Sequence, residues 1–227
     1  MLIRCLSVER FSSYRLNAQE SDLDVLVRYA WNIALSESLY PLLHYLEIML
    51  RNALYEAINA DTSDSQWYER SKGILFFDEQ EKVDAAIGEL RRNGKVVSPG
   101  RVVAELSFGF WTSLLNARYE RQQRLWPRLL QTAFPAMPRR IRTRSTVSNR
   151  FQDIRGLRNR IFHHEPIWQY RDLQRRHAEL LEAVSWIDHR VGVIVQSFDR
   201  FPSVYQISPY DMRAQIELYL KAKGYQV

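Results

Sequence analysis

The sequence predicts an all-α fold, on three observations. Apolar residues recur at spacings of three and four along most of the chain, the period of a helix with one buried side. No stretch alternates apolar and polar residues as a half-buried strand would. Glycine and proline number only eight each in 227 residues, too few for a turn-rich β architecture. With 46% hydrophobic and 26% charged residues, the chain has ordinary globular usage and enough length to bury a core. One domain over residues 1–227 is expected, with its core at about 21–196 and a C-terminal extension over 197–227.

The elements follow in order. Residues 1–20 read as a leading segment in which Ser12-Ser13 would cap a short helix. A stronger helix begins at Ser21, where Leu23, Leu26, Val27, Ala30, Ile33 and Ala34 trace a stripe. Asp22 and Asp24 sit in its first turn, where the helix dipole favours acids. A second helix is expected from about Ser38 to Ala60, with Pro41 tolerated in its first turn and Leu43, Leu46, Leu50, Leu54 and Ile58 inward. Asp61 to Ser65 breaks that helix, and Trp67 to Phe77 reads as an irregular, aromatic-rich connection. Asp78 to Asn93 is helical with Val83, Ile87 and Leu90 inward, and Gly94 stops it. After the turn at Ser98-Pro99-Gly100, one helix is expected from Arg101 to about Asn116, its Gly109 marking close approach of another backbone. Arg118 to Arg128 is basic and amphipathic, and Pro135 and Pro138 bound a loop. The next helix carries Val147, Phe151, Ile154, Leu157 and Ile161 at spacings of 4, 3, 3 and 4, with Ser148 as its cap. Pro166 disfavours helical geometry at Glu165, so that helix ends near His163 and His164. A long helix from Leu173 to Val195, a loop from Phe198 to Pro209 and a terminal helix from Asp211 to Lys223 complete the chain. His177 and His189 read as structural members of the long helix.

The formal charge is +6 and the sequence pI about 9.5, which points to an anionic partner. Of the 32 basic residues, 27 are arginine and 5 lysine, and arginine is the better fork for phosphate. From Arg139 to Arg160 eight arginines face one acid, Asp153, the kind of basic ramp expected beside nucleic acid. A single cysteine, Cys5, excludes an intramolecular disulfide framework. No stretch approaches the ~18 apolar residues of a membrane span, and Met1 to Phe11 is too charged and short for a signal peptide, so a soluble cytoplasmic protein is expected.

The stretch Leu157-Arg158-Asn159-Arg160-Ile161-Phe162-His163-His164-Glu165-Pro166 holds two of the five histidines. Its apolar stripe buries one side, so Arg155, Arg158, Asn159 and His163 look elsewhere. Asn159 and His163 are four apart and share a face. Arg158 and His163 are five apart, about 140° round an ideal axis, and meet only if the last turn loosens before the proline. A permanent cation, an amide and an imidazole suit a phosphodiester: arginine holds the phosphate and histidine moves a proton. The bland alternative is a pair of histidines finishing a helix whose C-terminal dipole favours positive charge.

Several stretches then carry a resemblance. Arg158-Asn159 followed by His163 and His164 is similar to the R-x4-6-H signature of the HEPN superfamily, and more narrowly of the Abi-like (abortive infection) proteins. Tyr29-Ala30-Trp31-Asn32, Leu39 to Ala53, Glu105 to Trp111 and Leu157 to Trp168 also resemble that family, in its order, across roughly residues 10–195. The chain departs from it after the histidines, where many relatives have a small polar residue, Arg, Leu, Trp and Asn and this one has Glu165-Pro166-Ile167-Trp168.

The resemblance implies a HEPN-like helical bundle with additional helices and a metal-independent endoribonuclease that leaves a 2′,3′-cyclic phosphate. Arg158, Asn159, His163 and His164 would be catalytic, and Glu47 and Arg51 would support them. Arg150, Arg155 and Arg160 extend the expected RNA-binding face. The family further implies a homodimer through the motif helix, an antitoxin partner, and action as a toxin or phage-defence effector. The competing class is a non-catalytic HEPN-like module that binds RNA, a nucleotide or a protein.

No metal and no cofactor are expected. His163, His164 and Glu165 are consecutive, so on a helix they diverge by about 100° per residue, and no H-E-x-x-H motif is present. A cysteine–histidine pair would have to use Cys5, a Ser-His-Asp set has no support, and no glycine-rich phosphate loop occurs.

Overall fold

The structure, a computed structural model, describes residues 7–225. Cys5 and the first part of the leading segment lie outside the described residues. The described residues are helical, without strands. Twelve α-helices follow in order among them: α1 Val8–Ser12, α2 Asp22–Thr62, α3 Phe77–Arg92, α4 Pro99–Glu105, α5 Phe108–Ser113, α6 Ala117–Arg121, α7 Leu130–Ala133, α8 Arg144–Phe162, α9 Leu173–Ile187, α10 His189–Gln196, α11 Phe201–Gln206 and α12 Pro209–Ala222. No helix among the described residues is long and apolar enough to cross a membrane. The chain divides into two compact units: residues 1–43, 157–178 and 197–227 form the first, residues 44–156 and 179–196 the second.

The first unit is built round α1 and the start of α2. Phe11, Tyr14 and Val25 form one buried cluster there, with Leu26, Tyr29 and Trp168 packed against them. Ser7 caps α1 by accepting from the Arg10 amide at 3.3 Å, while Ser12 and Ser13 stand at its end, so the expected cap is corrected. Asn32, buried at 4% exposure, ties three segments together. Its Nδ2 donates to the Tyr14 hydroxyl at 3.0 Å, and its Oδ1 accepts from the amides of Ile167 at 2.7 Å and Trp168 at 3.2 Å. Burial, the largest effect, lifts the Tyr14 hydroxyl to about 12, so it stays protonated in this network.

Arg28 pairs with Glu20 at 2.6 Å, and its guanidinium carbon lies 5.2 Å from the Trp168 ring centre. The Arg28 hydrogen bond is the largest effect holding the Glu20 carboxyl below its ordinary 4.5. A depressed carboxylate stabilises the fold above its unfolded pKa, and that stability is lost as pH falls through the folded value. Glu20→Gln is therefore expected to be less stable than the parent near neutral pH, with the gap closing below about pH 4.5. Urea unfolding at about pH 6 and about pH 3 checks this; a gap that persists unchanged in acid contradicts it.

The second unit encloses Trp67, Phe110, Trp111, Trp126, Phe134 and Phe151, each at 0–1% exposure. Buried Glu79, at 1% exposure, accepts from the Tyr119 hydroxyl at 2.9 Å and pairs with Arg118. Burial first, and Glu79 second, push the Tyr119 hydroxyl far up.

Several boundaries differ from the sequence expectation. The two helices expected on either side of residues 36–37 are one continuous α2, with Pro41 inside it. An interior proline costs about 3 kcal/mol. Leu35, Leu39, Leu42, Leu43 and Leu46 are all at 4% exposure or less. Each buried leucine contributes roughly 1.5–3 kcal/mol, so their packing outweighs the proline. The single helix expected over 101–116 is split instead: Leu106 is extended, and Ser107 caps α5 by accepting from the Phe110 amide at 3.3 Å. The basic run at 118–128 is helical only through Arg121. Helix α8 starts earlier than Ser148; Thr143 caps it, its hydroxyl accepting from the Thr146 amide at 3.1 Å. The long helix expected after the proline is α9 and α10, broken at Asp188, whose carboxylate accepts from the Arg190 amide at 2.8 Å. A short α11 lies within the loop expected at 198–209. The tight glycine is Gly192, where a Cβ would meet the Ser185 side chain, and not Gly109, whose Cβ would find only an ordinary contact at 3.6 Å.

Candidate functional site

The stripe of α8 behaves as its spacing requires: Val147, Phe151, Ile154, Leu157 and Ile161 are all buried. The helix stays regular through His163, whose amide donates to the Asn159 carbonyl at 2.9 Å. It then ends in a Schellman turn: the His164 amide donates to Ile161 at 3.1 Å and the Glu165 amide to Arg160 at 2.8 Å. His164 occupies the left-handed position of that turn, φ 58°, where glycine is the usual residue. The last turn does not loosen before the proline, so Arg158 and His163 stay about 140° apart on the helix.

That divergence sets two neighbourhoods, both within the first unit. On one side the Arg158 guanidinium carbon lies 4.1 Å from the Phe162 ring centre, and Tyr40 tilts against Phe162 at 5.8 Å. Tyr40 and Phe162 are half-exposed, at 50% and 41%. On the other side His163 and His164, both exposed, line a shallow recess of about 320 Å³ together with Ser7, Arg10, Ser13 and Tyr14. Arg10 reaches across 154 residues of sequence to donate to the His164 carbonyl at 3.2 Å. Two carboxylates, Glu9 and Glu165, share the rim, and Glu165 lies 3.6 Å from the Arg160 guanidinium.

A positive φ costs an ordinary L-residue about 1–2 kcal/mol, and histidine tolerates it better than most. His164→Gly is therefore expected to leave the fold as stable as the parent or up to about 1 kcal/mol more so, while His164→Val costs about 1–2 kcal/mol. Paired urea titrations read both, and a glycine variant less stable than valine would show that the side chain, not the backbone, governs this position.

The remaining expected residues fall as follows. Glu47 and Arg51 lie on the part of α2 that belongs to the second unit; both are partly buried, and Arg51 donates to Asn52 at 3.3 Å. Arg150 donates to the Glu179 carbonyl at 3.1 Å and to Glu182 at 2.6 Å, with its guanidinium 4.8 Å from the Trp186 ring. Arg160 donates to the Pro166 carbonyl at 3.0 Å and lies 5.4 Å from the Tyr170 ring. Arg144 likewise pairs with Glu120 at 2.8 Å. Part of the basic ramp thus holds the fold together, and Arg155, half-buried, is the member of the expected RNA face without such a tie shown here.

Sequence reasoning missed Arg10, Phe162 and Tyr40, and did not single out Asn32. A buried amide in the apolar stretch of α2 was the available signal for Asn32, and nothing in the sequence pointed to Arg10. Among the described residues, no three His, Cys, Asp or Glu side chains gather as a metal site would need. Comparison of the chain with protein-family models, curated proteins and solved structures returns no match.

Proposed function

We propose that this chain is a metal-independent endoribonuclease of the Abi-like HEPN kind, acting as a toxin or phage-defence effector. The observation that carries the reading is the end of α8, where a regular helix presents Asn159 and His163 on one face and an ordered turn exposes His164 at a recess that Arg10 also lines. In this reaction His163 takes the proton of a ribose 2′-hydroxyl as its oxygen bonds the adjacent phosphorus. The P–O5′ bond breaks, and the leaving oxygen gains a proton from a second carrier, for which His164 is the nearest candidate. Arg158, whose guanidinium lies over the Phe162 ring, stabilises charge on the pentacoordinate phosphorus. Because Arg158 and His163 diverge round an intact helix, a two-fold homodimer through α8 would let one copy's Arg158 serve the other copy's His163.

The same divergence favours a second reading, in which the domain binds RNA without cutting it. An RNA-cleavage assay in EDTA, with total tRNA and a mixed-sequence oligomer, decides between them. Cleavage leaving cyclic phosphate ends, with a DNA copy of the oligomer left whole, supports the nuclease. Binding without cleavage supports the module, and cleavage that requires added metal overturns both.

A further inference from the structure

We propose that Arg10 is a phosphate-binding residue of the His163–His164 recess, and that the recess receives a backbone phosphate of single-stranded RNA. This rests on the RNA-directed reading above and extends it to a residue outside the motif. The argument begins with the geometry of α8. Arg158 lies about 140° round the helix from His163 and packs on Phe162, so the histidine side of the helix needs its own cation to hold a phosphate there. Arg10 stands in that place. It lines the recess that both histidines line, and its guanidinium donates to the His164 carbonyl at 3.2 Å.

A guanidinium carries five N–H donors in a planar fork, and one nitrogen serves this tie, so the fork can bridge the turn and a phosphate oxygen together. Ser7 and Ser13 line the same recess. Of the two rim carboxylates, Glu165 is offset by Arg160 at 3.6 Å, which leaves Glu9 as the opposing charge. The bland alternative is that Arg10 only fastens α1 to the end of α8, where the helix dipole also favours a cation.

Arg10→Gln tests the charge directly, because it puts a neutral amide donor in place of the guanidinium, and the salt slope reads the lost charge rather than the lost tie. The probe is a single-stranded 2′-O-methyl RNA oligomer, which lacks a free 2′-hydroxyl and so is bound but not cut. Its affinity for the full chain is measured from about 50 to 200 mM salt. Arg10→Gln should weaken binding and make the slope of log affinity against log salt shallower by about 0.7, the loss of one phosphate contact on a single strand. Arg10→Lys should keep most of the slope. Ser13→Glu, which sets a carboxylate on the exposed wall without touching the Arg10 tie, should weaken binding as well and covers the case of an Arg10 variant that fails to fold. Unchanged affinity and slope in Arg10→Gln, or unchanged affinity in Ser13→Glu, overturns the assignment. The two readings fail separately: a parent that never cleaves RNA while Arg10→Gln loses the slope leaves Arg10 standing without the nuclease. Cleavage abolished by His163→Ala with Arg10→Gln binding as the parent does leaves the nuclease standing without Arg10.

Discussion

His163→Ala is expected to lower RNA cleavage in EDTA by two to four orders of magnitude, the usual contribution of a positioned general acid or base. Arg158→Ala should cost roughly 10²–10³-fold in the same assay, as the loss of a charge donor to the transition state does. Arg158→Lys should recover only part of that loss. A lysine ammonium keeps the charge but not the planar fork that lies over Phe162. The two histidines are separable, because His164 sits in a left-handed turn that glycine also accepts. His164→Gly removes the imidazole while keeping the backbone that presents His163. A large loss in His164→Gly alongside His163→Ala would make them a proton-carrying pair; a loss confined to His163→Ala would give His164 a role in the turn alone. Full activity in both His163→Ala and Arg158→Ala sinks the nuclease reading.

The second large effect is on stability. Asn32→Leu is expected to destabilise the fold by about 3–5 kcal/mol. Leucine fills a similar volume but accepts nothing, so the amides of Ile167 and Trp168 and the hydroxyl of buried Tyr14 each lose a partner. A buried donor left unsatisfied costs roughly 1–3 kcal/mol, against a total stability of about 5–15 kcal/mol for a native protein. Asn32→Asp keeps an acceptor for both amides and should fall between leucine and the parent. Urea unfolding monitored by helix content measures all three. A leucine variant within about 0.5 kcal/mol of the parent would mean that water or a rearranged segment satisfies those amides. Because Ile167 and Trp168 follow the histidines after only Glu165 and Pro166, the same network also fixes where the turn at His164 leads.

How much of this was legible beforehand depends on the distance over which each feature is decided. The stripe from Val147 to Ile161, the helix end before Pro166 and the shared face of Asn159 and His163 are local. Spacing and the clash of the proline ring with the residue before it determine them within one or two turns, and the buried stripe and the hydrogen bonds ending at Glu165 agree. Helix breaks were less legible. Ser107 and Asp188 cap new helices inside runs whose apolar spacing alone reads as continuous, and the packed leucines carry α2 through Pro41 where local rules place a start. The arginine-rich run shows the same limit from another side. Its charge is evident in the sequence, but which guanidinium meets a partner is not, and Arg144, Arg150 and Arg160 each hold another part of the fold.

By itself, then, the sequence determined the helical class, the buried side of α8 and the place where that helix stops. Tertiary structure alone decided what stands beside the histidines. Arg10 lies 154 residues from His164, and Asn32 lies 135 from Ile167. Periodicity encodes which side of a helix is buried, through neighbours one turn apart, and carries no information about which distant segment buries it.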